Sequence, residues 1–493
     1  MDQETLGFPL WLRINHFINL FCIFLLMRSG MQILSDHPKL YWNDHATPGS
    51  EWIKFGKKAM PRDRLWTSMD EAEYINPVVA LPGGRHNLGA GRNWHFLVVP
   101  LWILNGLSYV TLLFVTGEWR RLIPTSWTII SRAWDSALTF AHFRVPPDSA
   151  FQPYDPLQQL TYAAIVFLVS PLMILTGLCM SPALIARFPW YPRLFGGRQV
   201  ARSLHFIGLM ILVVYTLVHL TLVLTVHFPD DIADMVLGSA SPNLALGVWI
   251  ASLALLGVVL FHVWATVYTL RYQRTFQVSA TTVVEPLVRF LFGRLQSRQQ
   301  YTHADISPYF RVNGYPPVSE TYLKLADAQF DEWRLPIGGL VEQPLTLSLA
   351  DLRALPKQEQ ITKHNCIQGW SAVAEWGGVR MSTILELCRP LPQARYVVFH
   401  AFPQAEYAPD IYYEALSLDE VRDPQTILAY EMNRQALPIP HGAPCRLRIE
   451  TKTGYKMVKY IRSIDVVETY ATVGQGQGGY REDAQFFDKV AAI

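Results

Sequence analysis

Five apolar runs, each long enough to cross a bilayer as a helix, constrain this 493-residue chain more than any other feature. They lie at about 14–34, 94–116, 158–180, 204–227 and 244–270. In hydrocarbon each run must satisfy its own backbone hydrogen bonds, which a helix does. Half of the residues are hydrophobic and only 17% are charged, so composition agrees with a membrane part joined to a soluble part. The stretch 122–143, punctuated by Arg132 and Asp135, reads as an interfacial or loop segment. Residues 276–300 read as a polar, basic connector, and from Tyr301 onward the pattern is soluble α+β. There "YVVF" and "CRLRIE" look like strands, and "SLADLRAL" and "STILELC" like short helices. The expected domains are therefore a transmembrane domain at 1–275, a linker at 276–300 and a soluble domain at 301–493. A net charge of +2 lends nucleic-acid binding no support. Five scattered cysteines without a CxxC argue against a disulfide framework. The acidic start "MDQETLGFPLWLRINHF" does not read as a cleaved signal peptide.

Histidines inside membrane helices are costly and usually functional. His16 opens the first helix, His95 the second, His205 and His219 share the fourth, and His262 lies in the fifth. His205 and His219 are fourteen residues apart, close to four turns, so they share a side at a separation of roughly 21 Å. Alternating helix direction puts His95 level with His205 near one membrane face, and His16 level with His219 near the other. Two bis-histidine pairs follow, suited to two stacked haems for electron transfer. Arg13, Arg92 and Arg202 stand beside three of these histidines, where propionates would want cations. The alternative is helix-packing histidines hydrogen-bonded across the bundle. His262 has no partner at its depth and reads as packing or a quinone-site polar group, whereas His142 and His227 read as surface residues.

The runs "RINHFINLFCIFLLMRSG", "WHF" and "SLHFIGLMILVVYTLVHL" resemble the cytochrome b561-type membrane subunits of formate dehydrogenases, hydrogenases and thiosulfate reductases. The resemblance covers residues 1 to about 275 and implies two b-type haems, a quinone site and a multi-pass place in the bacterial cytoplasmic membrane.

Three blocks carry the chemistry of the soluble part: "SPYFRVNGYPP" at 307–317, "KHNCIQGWSAVAEW" at 363–376, and "AYEMNRQALPIPHGAPCRLRIETKTGYKMVKYIRSIDVV" at 429–467. The last reads as an anion cradle, with His441, Arg446, Lys456 and Lys459 as donors and Gly442 and Gly454 allowing close backbone approach. Its alternative reading is a solvated basic face. Together the blocks resemble the sulfite oxidase fold of molybdopterin enzymes over nearly the whole domain. The expected architecture is thus an all-α bundle of five transmembrane helices followed by an α+β sulfite oxidase-fold domain. The resemblance implies that Cys366 gives its thiolate to molybdenum. It also implies that Asn313, His441, Arg446, Lys459 and the Met457–Val458 backbone hold the pterin and its phosphate, and that Tyr480 is an active-site tyrosine. A soft thiolate suits a redox metal. Cys366 as a nucleophile would need a base, with His364 the candidate. Cys388 reads as a core thiol, and Trp370 and Trp376 either line an apolar pocket or pack the core.

Where sulfite oxidases and nitrate reductases carry an arginine-rich run after the metal cysteine, this chain has Gln368, Gly369, Trp370 and Ser371. An anionic substrate wants paired arginines, and the "C-[IV]-x-x-W-S" pattern instead resembles the catalytic subunit of bacterial methionine-sulfoxide reductase. The expected function is a molybdopterin-dependent oxidoreductase exchanging electrons between quinone and a small oxo-substrate, S-oxide favoured. A sulfite-type dehydrogenase and an electron conduit with a docking domain are the alternatives. The expected partners are the bilayer, the quinone pool and the small oxo-substrate, with a homo-oligomer left open. The chain ends before the immunoglobulin-like domain of sulfite oxidases, so that domain is not expected. Segments 35–93, 181–203 and 271–300 hold 17 Lys and Arg against 5 in segments 1–13, 117–156 and 228–243. The positive-inside rule then puts the molybdenum domain in the cytoplasm.

Overall fold

The computed structural model describes residues 8–61, 63–142, 144, 154–226, 228–238, 243–292, 300–407 and 411–487; His227 lies outside these residues. Five helices have the length and hydropathy to cross a membrane: α1 (Leu10–Asp36), α2 (Leu88–Val115), α3 (Pro156–Cys179), α4 (Arg198–Thr225) and α5 (Leu244–Arg271). α3 is not uniform. Residues Ile165–Val169 form a π-helical turn just before Pro171, whose missing N–H and ring remove one regular bond and widen the preceding turn. The segment Ile129–Ala141 is a helix of 13 residues, too short to span, with Ala133, Ser136 and Phe140 on its buried side.

The residues read as a connector begin inside a further helix, α6 (Gln273–Phe292). Half of its residues are apolar; Phe276 and Ala280, one turn apart, are buried, and Phe276 stacks on Trp94 of α2 at 4.7 Å between ring centroids. That apolar pair fixes α6 against the bundle.

Between α1 and α2 the chain makes an extramembrane excursion holding a small antiparallel pair, β1 (Lys39–Tyr41) and β2 (Glu51–Lys54). The soluble domain adds β3 (Arg334–Gly339), β4 (Leu345–Ser348), β5 (Lys357–Asn365), β6 (Ser371–Arg380), β7 (Tyr396–Ala401), β8 (Tyr413–Ser417), β9 (Ile427–Met432), β10 (Gln435–Ala436), β11 (Arg446–Arg448) and β12 (Ile461–Val467). One sheet runs β10-β9-β6-β5, with β11 also paired to β9; the other runs β4-β3-β12-β7-β8. All pairs are antiparallel except β3 with β12. The main core joins both sheets through Leu335, Val397, Phe399, Leu428, Leu447 and Ile464, all at most 1% exposed. β6, buried along all but its last residue, is the central strand that leads out of the Cys366 turn.

Candidate molybdenum site and haem ligands

The Cys366 turn connects β5 and β6, whose last register pair is Asn365 with Ser371. The Cys366 N–H donates to the Trp370 carbonyl at 3.1 Å, and the Gly369 N–H returns to the Cys366 carbonyl at 3.1 Å. Gly369 has φ +107, and a Cβ there would come within 3.2 Å of Arg202 Nε; glycine alone suits that conformation and that approach. Cys366 is 2% exposed and packs with Tyr41, Ala46, Trp370 and Ala372. Burial pushes its thiol up to about 12, so the thiolate forms only when a cation such as a metal takes the proton's place. His364 does not serve it as a base: its Nδ1 meets Arg448 Nη1 at 3.1 Å and its ring lies against Trp370.

Beside the turn lies a cleft lined by Phe310, Asn313, His364, Trp370, His441, Arg446, Met457, Lys459 and Arg481, among others. Among the described residues no carboxylate lines it. Gly442, at φ +115, lets Lys459 and Arg446 converge, since a Cβ would sit 3.0 and 3.2 Å from theirs. Arg446 Nη1 donates to the His441 carbonyl at 2.9 Å, while its Nε is buried without a partner. The Arg446 guanidinium lies 4.9 Å from the centroid of Trp376. Burial, and next the Arg448 charge, lowers Arg446 to about 9. Burial and then Arg446 bring Lys459 down to about 7, and burial followed by Arg446 takes His441 to about 3. Crowded buried cations with an orphaned N–H want an anion. A pterin phosphate meets that demand, so the residues fit the group.

Lys456 leaves the cradle expected for it. It turns inward to Glu414 at 2.7 Å and to Glu482, where all three side chains are buried. Val458 is fully buried next to Lys459. Tyr480 is half-buried and packs with tilted rings against Tyr407 at 4.7 Å and Tyr412 at 5.6 Å between centroids. Its neighbour Arg481 reaches the cleft, donating to the Tyr407 hydroxyl at 3.1 Å. Arg481, Tyr407, Tyr412 and Gln404 escaped sequence reasoning because they come from outside the three blocks; the cation beside Tyr480 was the available signal.

The membrane histidines gather in pairs. His16 and His219 have ring centroids 6.4 Å apart. Two imidazole nitrogens bound at about 2 Å on either side of one metal put the rings at about that spacing. His16 Nδ1 is buried without a partner. His95 Nδ1 meets Ser29 Oγ at 3.0 Å, and His205 Nδ1 meets Thr176 Oγ1 at 3.0 Å. Ser29 and Thr176 already donate their hydroxyl protons to the carbonyls of Leu26 and Leu172. Both imidazoles must therefore donate from Nδ1, which leaves Nε2 with a free lone pair, the tautomer an iron ligand needs. Arg13 and Arg202 are engaged with backbone carbonyls. His262 accepts from Arg28 at 2.9 Å.

The two halves touch at the Cys366 turn. Gln199 Nε2 donates to the Gly369 carbonyl at 2.9 Å and Arg198 Nη1 to the Trp370 carbonyl at 3.5 Å, both from the first turn of α4. Arg274 of α6 donates to the Glu482 and Asp483 carbonyls at 2.7 and 2.6 Å.

Membrane helices bearing histidines, docked on a cysteine turn and a cation cleft, define a class: membrane oxidoreductases that join haem to a molybdopterin. Residues 7–238 match the family model for prokaryotic cytochrome b561, and residues 322–473 that for the oxidoreductase molybdopterin binding domain. The chain belongs to the family of molybdopterin-binding oxidoreductases joined to a prokaryotic cytochrome b561. It is 34% identical over 194 residues to "Putative protein-methionine-sulfoxide reductase subunit YedZ1" of Azospira oryzae, covering 39% of this chain and 68% of that protein. It is 34% identical over 146 residues to "Protein-methionine-sulfoxide reductase catalytic subunit MsrP" of Campylobacter jejuni, covering 27% of this chain and 48% of that one. The chain thus spans about half of that second relative. A solved structure of the sulfane dehydrogenase SoxCD from Paracoccus pantotrophus aligns with TM-score 0.27 and 23% identity, over 31% of this chain and 40% of that one.

Proposed function

We propose that this enzyme reduces a small S-oxide with electrons drawn from membrane quinol and relayed by two b haems. Quinol gives two electrons and two protons and becomes quinone; the S-oxide takes two electrons and two protons and becomes sulfide and water. When bound, molybdopterin supplies two-electron oxygen-atom transfer and each haem a one-electron step. Cys366 would anchor the metal, and Asn313, His441, Arg446, Lys459 and the Met457–Val458 backbone would hold the pterin. Tyr480 and Arg481 would orient the substrate oxygen. His95 with His205, and His16 with His219, would each hold one haem.

One observation carries the reading: the Cys366 turn hydrogen-bonds to Gln199 on the helix that bears His205. Six residues of helix rise by about 9 Å, so this contact supports a short path between Cys366 and His205. The names of both relatives support the S-oxide. Quinol exchange is assigned near His16 and His219, which open on an apolar cavity of about 1710 Å³. The excess of Lys and Arg on the docking side supports a bacterial inner-membrane enzyme with the molybdenum domain in the cytoplasm. A second reading runs in reverse, oxidising sulfite, and Arg481 in the cleft is the observation in its favour. Haem absorbance separates the two. Reoxidation of pre-reduced haems by dimethyl sulfoxide or free methionine sulfoxide is expected, and reduction of oxidised haems by sulfite would instead select the reverse reaction.

A further inference from the structure

The excursion between α1 and α2 reaches over the molybdenum domain. The Ser68 N–H donates to the Val312 carbonyl at 2.8 Å. Its hydroxyl donates to Asn313 Oδ1 at 3.2 Å, and its carbonyl accepts from Gln368 Nε2 at 3.2 Å. One residue on, Met69 Sδ receives Arg481 Nη2 at 3.7 Å. Asp70 accepts from the Tyr315 hydroxyl at 2.6 Å. Three consecutive residues of the membrane half therefore bind the Asn313 block, the Cys366 turn and the Tyr480–Arg481 corner, the regions that meet at the candidate site.

This strap is held firmly. At its end Glu71 accepts from Arg311 at 2.5 Å, Lys39 at 2.8 Å and His37 at 2.7 Å. Arg311 also donates to the Tyr41 hydroxyl and the Ala46 carbonyl. Thr67, Ser68 and Glu71 are each at most 3% exposed. Swinging the strap off the soluble domain would strip the buried Glu71 carboxylate of Arg311, and the excursion that carries the strap is tied at both ends to membrane helices.

We propose that residues 66–71 roof the molybdenum site and confine its substrate to small free S-oxides, excluding methionine sulfoxide carried in a polypeptide. This rests on the S-oxide reading above. A methionine side chain has roughly three rotatable bonds, so its sulfur reaches the site only if the attached backbone comes almost as close. Ser68 and Met69, bonded to Asn313 and Arg481 of the cleft and to Gln368 beside Cys366, stand in that approach. Dimethyl sulfoxide or free methionine sulfoxide brings no chain to collide with it, and the roof acts as a steric filter against the larger substrate.

The test uses the full-length holoenzyme in detergent with dithionite-reduced haems. Free methionine sulfoxide is expected to reoxidise them with a kcat/KM at least roughly tenfold above that of an oxidised, unfolded polypeptide, counted per sulfoxide. A Ser68→Gly/Met69→Gly variant should narrow that gap. Equal or better turnover of the polypeptide by the wild type overturns the roof and leaves the S-oxide reading standing. A second readout needs no turnover. In a Met69→Cys variant the introduced thiol, aimed at Arg481, should react with N-ethylmaleimide and resist a polyethylene-glycol maleimide. Equal labelling by both overturns the roof. If no S-oxide of either kind reoxidises the haems, the S-oxide reading falls, and size-selective labelling alone still upholds or overturns the roof.

Discussion

Replacing Glu71 by glutamine removes one charge and leaves the shape of the docking interface nearly unchanged. The carboxylate is 1% exposed and faces Arg311 and Lys39, which are 4% and 9% exposed. Burial alone would raise Glu71, but the His37 hydrogen bond and the Arg311 and Lys39 charges override it and hold the group well below the carboxylate range. Burial keeps His37 neutral, at about 3, so it donates from Nδ1 without adding a charge. Glu71→Gln therefore leaves the buried Arg311 without a counter-ion and Lys39 with only Glu51 at 4.0 Å, a loss of about 3–5 kcal/mol. For a domain of this size each kcal/mol moves Tm by about 2–4 °C, so a fall of roughly 6–20 °C is expected. Thermal unfolding followed by tryptophan fluorescence at pH 7 measures it. A group with a lowered folded pKa stabilises above its unfolded value, near 4.3, and loses that contribution as pH falls toward its folded one. The gap between wild type and variant should accordingly shrink in acid. Adding Arg311→Met should restore part of the loss at pH 7. A shift under roughly 2 °C at pH 7 would refute the idea that this network locks the two halves.

Three further outcomes follow from the sites. Cys366→Ala should abolish turnover and lower molybdenum content while the haem spectrum stays intact; retained activity removes the thiolate assignment. His205→Ala and His219→Ala should each lower haem by one per chain in a pyridine haemochrome assay, and loss of neither would return these histidines to helix packing. In cofactor-free protein Lys459, lowered to about 7, binds fewer protons when folded than when unfolded. Stability should therefore rise with pH from about 7 to about 10.4, and Lys459→Met should flatten that slope in a pH series of melting curves.

The membrane helices were legible because run length alone decides whether a segment spans, and histidine depth follows from counting residues along alternating helices. The cation cleft was legible in part because His441, Arg446, Lys459 and Gly442 lie within twenty residues of one another. The partners that tune these groups were not. Ser29 and Thr176 look like ordinary mid-helix hydroxyls until folding sets them against His95 and His205. Lys456 sits in the basic run, yet Glu414 and Glu482, remote in sequence, draw it into the core. Residues 66–71 of the α1–α2 excursion have no helical or strand periodicity to betray their contacts with the soluble domain. The helix at 273–292 was missed because Arg274, Glu285, Pro286 and Arg289 interrupt a segment whose residues are otherwise half apolar.

The bond between Gln199 and the Gly369 carbonyl has a kinetic meaning. Reductant and oxidant sites on one covalent chain need no collision to meet, so the second binding event is intramolecular. Under the proposed relay, electron delivery across this contact would have no association rate for charge steering to accelerate or for salt to slow. Turnover per molecule should stay constant as the enzyme is diluted within the membrane, as a built-in wire would require and a visiting electron carrier would not.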